Sequence, residues 1–559
     1  MEGPLGMSRV IVIGGGVGGM ATAARLSVKG HTVTLLEQSD RLGGKLGRYE
    51  RDGFVFDTGP SLFTLPAVYR DLFLKTGGAL EDAVDLQEVD PAFGYHFADG
   101  TSVVIPGVSP ARAAEAMQAA FGGTAGADWR TFMDRAGAMW RITREPFLQS
   151  PLPDWRTLMS LARNPGDVRT IAPFSTLRKL GREYLKDPRQ RQLLDRYATY
   201  TGSDPRQAPA VLATIPYIEQ TFGAWHLGGG VSDLARALEQ RLGERGVTVR
   251  LNASVSRITL ANDSVSGVEL SDGTVLEADI VVANADASQV YGTLIDDPRA
   301  RKADERLAKA TPSLAGFVML LAVNGRTDGL QHHNVWFPKD YDMEFDDIFG
   351  RTPRPPRDPA IYVCAPDDPK MRPNDDTEAW FVLINAPRHS ATDAKGAIDW
   401  DAPGLAESYG TQVLDLLASR GMDIRDRIRW SETRTPADLE RRTLAPGGSI
   451  YGTSSNGSRA AFQRPANQSE IPGLFLVGGS SHPGGGLPLV GMGAEIVAEL
   501  IGTSTGITFF ITQQARYQHF ATVYAAIMII GIIGLGTDMV LAQVGRRLFP
   551  WDRTLDKSA

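Results

Sequence analysis

Arg9-Val10-Ile11-Val12-Ile13 is a continuous apolar run that reads as a buried parallel strand. It passes straight into Gly14, Gly16 and Gly19, spaced G-x-G-x-x-G, with Gly18 in the same turn. A helix is expected from Val17 to about Lys29, closed by Gly30, and a second strand over His31–Leu36 that ends at Glu37. Each part has a physical task. Gly14 permits the tight turn, Gly16 lets a pyrophosphate approach the backbone, and Gly19 lets helix and strand pack closely. The helix start offers free N–H groups and a positive dipole end to phosphate oxygens. Glu37 stands where a carboxylate would bind ribose hydroxyls. Strand, glycines, helix and acid together predict a dinucleotide site, but do not choose between a flavin and a nicotinamide.

Composition narrows the class of protein. The chain has 559 residues, is 42% hydrophobic and 22% charged, and carries a net charge of -7. That suits a globular chain of more than one domain and excludes global disorder, collagen and a mostly membrane-embedded fold. Without a basic excess, no nucleic-acid partner is expected. The single cysteine, Cys364, excludes a disulfide framework, a cysteine-rich zinc site and a self-contained iron–sulfur site. It reads as a small buried residue, with no reactive-cysteine motif around it. His332-His333 has no third ligand at sensible spacing, so no metal is expected. Asp367-Asp368 and Asp375-Asp376 read as solvated loop charges.

Two more glycine-rich segments follow the first. Ser39-Asp40-Arg41-Leu42-Gly43-Gly44-Lys45 follows closely after the acid, then Asp57-Thr58-Gly59-Pro60. Far along the chain, a strand at Leu474–Val477 enters Gly478-Gly479-Ser480-Ser481-His482-Pro483-Gly484-Gly485-Gly486-Leu487-Pro488 and a helix reaching Leu500. Between them, Gly228-Gly229-Gly230 precedes a periodic helix, and strands are expected at Val247–Leu251, Val255–Leu260, Val265–Leu270, Val275–Ala278 and Ile280–Ala283, with a hairpin turn at Asp272-Gly273. Residues 110–225 read as helix-rich. Ala315–Val323 and Ala379–Asn385 read as strands, and Arg351–Pro359 as a loop.

These segments resemble the amine oxidase/phytoene desaturase superfamily of FAD proteins, and the last motif resembles bacterial carotenoid desaturases of the phytoene desaturase type. Tyr197–Gly202 and Glu219–Trp225 are also similar to that family. The resemblance covers about residues 8–502. It implies FAD as cofactor, with Gly43, Gly44 and Lys45 along the diphosphate, Gly59 and Pro60 approaching the flavin, and Val255 beside the adenine. Gly478, Gly479 and Gly486 would let backbone amides meet the flavin, with Leu487 and Pro488 at the start of the helix beside them. Lys45 stands where arginine is common, and Gly479 where many relatives carry an aspartate. His482 reads as a loop residue that fixes backbone geometry rather than as a base, and no catalytic residue is assigned.

The implied fold is α/β. A Rossmann-type FAD-binding domain would be built from 8–110, 225–290 and 440–502. An inserted α+β domain, 111–224 and 291–439, would bind substrate and associate with the membrane. The implied reaction is oxidation of an apolar polyene such as phytoene, with hydride passing to the flavin and oxygen or a quinone as the final acceptor. Nearest rivals are a later-step carotenoid desaturase, a carotenoid isomerase or ketolase, and an amine oxidase. A lipid-binding protein like the GDP-dissociation inhibitors is the non-enzyme rival.

The tail, 503–559, resembles the C-terminal end of nitrate/taurine-type ABC-transporter permeases, chiefly through Arg546-Arg547-Leu548-Phe549-Pro550-Trp551. No formal charge falls between Arg516 and Asp538, so a transmembrane helix is expected within 517–544, a buried helix being the rival reading. Arg546, Arg547, Arg553 and Lys557 follow it, against Arg516 before it, which places the C-terminus in the cytoplasm. A single crossing would then export the FAD domain, yet no signal peptide is expected. The tail therefore reads as an anchor at most or a fusion remnant. The expected location is the cytoplasmic face of the membrane, peripheral or tail-anchored.

Overall fold

A computed structural model describes residues 7–152, 164–392, 396–457, 460–502 and 528 of the chain. The readings for 503–559, both the permease likeness and the span within 517–544, lie outside the described residues. Among the described residues, no helix is long and apolar enough to cross a membrane. Met7–Val497 forms one compact unit, and the account below concerns that unit.

The apolar run Arg9–Ile13 is the central strand of a five-stranded parallel sheet. Thr32–Leu36 pairs on one side of it, Ile13 opposite Leu36, and Thr248–Arg250 lies beyond. On the other side lie Ile280–Ala283, with Val10 opposite Ile280, and then Leu474–Leu476. The chain thus turns to opposite sides of Arg9–Ile13, which leaves a crevice at the carboxyl ends of the strands. The helix Val17–Val28 connects the first two strands and is buried along most of its length. The three-stranded antiparallel sheet of Val255–Ala261, Ser264–Leu270 and Val275–Glu277 packs alongside, its second turn at Gly273, whose φ is +85°.

A second, seven-stranded mixed sheet forms the other half of the unit. Ala315–Asn324 and Thr377–Ala386 pair antiparallel along their full lengths. Ile428–Arg434 flanks them on one side, and Ile361–Cys364 and His333–Trp336 on the other. Phe93–His96 and Ser102–Ile105 complete it, His333–Trp336 running parallel to Phe93–His96. These last two strands fall inside the 8–110 segment yet pair here, because their buried faces pack with the core that also holds Trp129, Phe132, Leu193 and Phe381. The described residues of 110–222 are mostly helical, including Pro110–Phe121, Ala125–Thr143 and Thr214–Phe222.

Candidate active site

The site begins where the central strand ends. The Gly14 amide donates to Leu36 O at 2.8 Å and Asn284 N to Ile13 O at 2.8 Å, so three strand ends share one floor. Gly19 is where helix and turn meet most closely: a Cβ there would stand 2.1 Å from the Gly14 carbonyl oxygen. Glu37 is buried. Its Oε2 accepts from the Gly15 amide at 2.7 Å, and its Oε1 from the amide and hydroxyl of Ser39 at 2.9 and 2.8 Å. The turn Gly43-Gly44 folds back on the first motif, with Gly43 N donating to Gly15 O at 2.9 Å. Gly44 has a φ of +58°, and a Cβ on it would lie 3.1 Å from the Gly16 Cα. Two glycine-rich turns thus press backbone against backbone, leaving amides rather than side chains at the crevice.

A cavity of about 530 Å³ opens from this floor. Gly14, Gly16, Gly18, Glu37, Gly43, Gly44, Lys45, Gly59, Pro60 and Val255 line it, as do Gly478, Gly479, Gly486, Leu487 and Pro488. Gly19 is absent from the wall, since it serves helix packing. Lys45 is half-buried, desolvation lowers its pKa, and its Nζ donates to the carbonyls of Ser449 at 3.0 Å and Ile450 at 2.7 Å. Asp57 is also buried, which pushes its carboxyl upward. It accepts from the amides of Val231 and Ser232, both at 2.8 Å, and so holds the start of the helix Asp233–Glu244. The last motif is held by Arg464, whose pKa burial lowers to about 10. It donates to the carbonyls of Gly479, Tyr451 and Thr453 at 2.7, 3.0 and 2.6 Å. His482 is not in the cavity wall. Its ring hydrogen-bonds Ser150 O at 3.0 Å, its carbonyl accepts from Asn467, and burial lowers its pKa.

Beyond the crevice the wall becomes apolar, with Ile215, Leu314, Val318, Phe381 and Leu383. Arg196, Tyr200, Glu219, Tyr341 and Tyr362 stand among them. The Arg196 guanidinium sits over the rings of Tyr200 and Tyr362, 5.2 Å from each centroid. Tyr200 and Glu219 fall in two segments whose likeness to the family the sequence shows, though without a role, whereas Arg196, Tyr341 and Tyr362 are far apart in sequence and follow no spacing rule, so sequence reading missed them. Asn284, Asp286 and Arg442 were missed for the same reason. Asn284 Nδ2 donates to Gly14 O at 3.2 Å, and Arg442 Nη2 to Gly44 O at 3.1 Å.

The residues present fit an extended dinucleotide: amide-lined turns, a buried carboxylate at the second strand end, and glycines whose replacement would fill the cradle. Two sequence readings are corrected. Asp368 is not a solvated charge. It is buried and accepts from His226 Nε2 at 2.9 Å, Gly229 N at 2.6 Å and Lys370 N at 2.8 Å. Burial opposes its ionisation, but these donors outweigh it and hold the carboxyl well below its usual range. The pair His332-His333 does have a third neighbour of metal-ligating type. Cys364, opposite His333 across the sheet, brings its sulfur within 4.8 Å of a ring nitrogen of each. Burial lowers both histidines, His332 to about 3, and pushes the Cys364 thiol up. Tyr362 OH lies 2.8 Å from His333 Nδ1 and 2.7 Å from Ser61 Oγ, so this cluster abuts the cavity wall.

Comparison with known proteins agrees with this geometry. The profile of the family described as flavin containing amine oxidoreductase matches residues 17–393. A 4,4'-diapolycopene oxygenase from Methylomonas sp is 32% identical over 88% of this chain and 98% of its own length. A hydroxyneurosporene desaturase from Rubrivivax gelatinosus is 32% identical over 90% of this chain and 94% of its own. A solved putrescine oxidase shares the fold at a TM-score of 0.59 and 15% identity, covering 89% of this chain and all of that one.

Proposed function

The chain belongs to the flavin-containing amine oxidoreductase family and is an FAD-dependent enzyme, and on that premise we propose that it desaturates a carotenoid precursor such as phytoene. The observation that carries this reading is the continuity of one cavity. Its floor is built from dinucleotide-binding turns and its far wall from apolar side chains. A hydrocarbon offers no charge to grip, so shape and apolar burial must hold it. FAD, when bound, supplies the hydride acceptor. The Gly14–Gly18 turn and Gly43-Gly44 would take the diphosphate, Glu37 the ribose and Val255 the adenine side. Gly59, Pro60 and the turn from Gly478 to Pro488 would take the flavin end.

The test is anaerobic mixing of the flavin-loaded protein with phytoene in liposomes. The reading predicts bleaching of the oxidised flavin band and one new double bond per flavin reduced. An unbleached flavin refutes it.

A second reading is oxygenation of a polyene end group, favoured by the identity with the Methylomonas oxygenase. Labelled dioxygen separates the two: desaturation leaves the product free of label, whereas oxygenation incorporates it. Within this proposal, the five-stranded sheet is the flavin half and the seven-stranded sheet with its helices the substrate half. Residues 503–559 serve at most to attach the chain to the cytoplasmic face of a membrane. Their deletion should leave flavin content and turnover in liposomes unchanged, and loss of flavin from the truncated chain would contradict this.

A further inference from the structure

Desaturation releases a proton as well as a hydride, and in a cavity lined by hydrocarbon side chains that proton needs an acceptor. We propose that Glu219 is the catalytic base, taking the proton from the carbon next to the one that loses hydride. This rests on the desaturase reading above. The step balances: the substrate loses two electrons and two hydrogens. One hydrogen leaves as hydride for the flavin. The neighbouring C–H bond breaks, its electron pair becomes the new π bond, and its proton moves to the Glu219 carboxylate.

Elimination among the described wall residues supports the choice. The wall carboxylates are Glu37, Glu219, Asp286 and Asp438. Glu37 accepts from Gly15 and Ser39 in the dinucleotide corner, where it would meet the ribose rather than the substrate. Asp286 caps the amide of Ser288 past the end of Ile280–Ala283 and faces the charges of Lys45 and Arg464, and Asp438 is held by Thr435 and Arg441. Lys45, Arg196, Arg434 and Arg442 are donors only. Tyr341 and Tyr362 are driven by burial well above the usual phenol range and stay neutral.

Glu219 differs from all of these. It projects from the helix Thr214–Phe222 and is 5% exposed. Tyr197 OH donates to Oε1 at 2.5 Å, while Oε2 receives a longer bond from Tyr200 OH at 3.3 Å. Oε2 therefore keeps lone-pair capacity for a proton. The charged and titratable groups that face it are Arg196, Tyr197, Tyr200 and, from the strand Phe93–His96, Tyr95. Burial raises the carboxyl to about 7, against the tyrosine bonds and the Arg196 charge, which lower it. A group so poised is ionised above neutrality and can hold a proton between turnovers.

The test uses the full flavin-loaded chain with phytoene in liposomes. In the wild type, the rate of anaerobic flavin bleaching should rise with pH through about 7 and level off. Glu219→Gln should slow bleaching by about 10²-fold or more and abolish that limb, with flavin content unchanged. Tyr200→Phe should move the limb to higher pH, because it removes a bond to the carboxylate; a purely structural role would not shift a pH profile. Infrared difference spectra should show buried carboxylic acids titrating in that range without substrate, Glu219 and Glu344 among them, with the Glu219 component missing in Glu219→Gln and present in Glu344→Gln. Overturning results are bleaching of Glu219→Gln within threefold of wild type with the limb intact, or no such Glu219 component. A wild-type protein that never bleaches with phytoene defeats the desaturase reading itself and this assignment with it.

Discussion

Replacing Gly19 by alanine tests the nucleotide floor through a single methyl group. The new Cβ would stand 2.1 Å from the Gly14 carbonyl oxygen and 3.2 Å from the Asn284 Cβ. Carbon and carbonyl oxygen settle at about 3.3 Å or more, so the helix Val17–Val28 must retreat by roughly 1 Å. Both contacts are with strand-end turns that cannot swing aside. Overpacking of this kind costs about 1–3 kcal/mol in the fold. The larger effect falls on binding. A retreat of roughly 1 Å stretches an amide–phosphate bond of about 2.9 Å beyond hydrogen-bond range. Charge-assisted bonds contribute about 1.5–3 kcal/mol each, so losing two at the helix start weakens FAD by at least about 10²-fold. The assay is titration of the apoprotein with FAD, read by quenching of flavin fluorescence, beside thermal unfolding of the apoprotein. Gly243→Ala is the control: no atom lies within 4 Å of its would-be Cβ, inside the helix Asp233–Glu244. It should bind FAD normally and gain slightly in stability. A Gly19→Ala protein that binds FAD within threefold of wild type would refute the packing argument.

Other consequences follow from buried carboxyls. Asp57→Asn leaves one of the Val231 and Ser232 amides facing an NH₂ group, so unfolding should become easier by about 1–2 kcal/mol, measured as a lowered thermal midpoint. Glu219 and Glu344 are each raised by burial from 4.5 to about 7. The folded protein keeps these protons where the unfolded chain releases them, so stability should fall as pH rises from about 4.5 to 7 and level off above. Glu344→Gln should flatten part of that slope in unfolding measured across the range, and an unchanged slope would contradict the raised value. Cys364→Ser should leave flavin content intact, and acid precipitation of either protein should release its flavin, since that thiol is buried against Ser61 and Tyr362.

The parts legible in sequence are those whose physics is local. An apolar run, a glycine turn, a periodic helix and an acid at a strand end each declare themselves within a few residues, and Arg9–Glu37 folds as that pattern implies. The hairpin at Gly273 does so too. Long-range pairing has no such signature. Nothing near Phe93 says that it will lie parallel to His333, or that His333 will face Cys364. Asp368 looked solvated because its neighbours are polar. Its partner His226 lies on a distant strand, and only the fold brings them together. The same holds for the substrate end of the cavity. Arg196, Glu219 and Tyr362 come from a helix end, another helix and a strand, so their convergence is a property of tertiary structure.

The central claim is that this cavity joins a flavin to a polyene. Its most direct test is to express the chain in a colourless host that makes phytoene and no later carotenoid, and to extract the pigments. The account predicts coloured products whose absorption moves to longer wavelength with each added conjugated double bond. Unchanged phytoene, recovered beside a purified protein that carries its FAD, would contradict it.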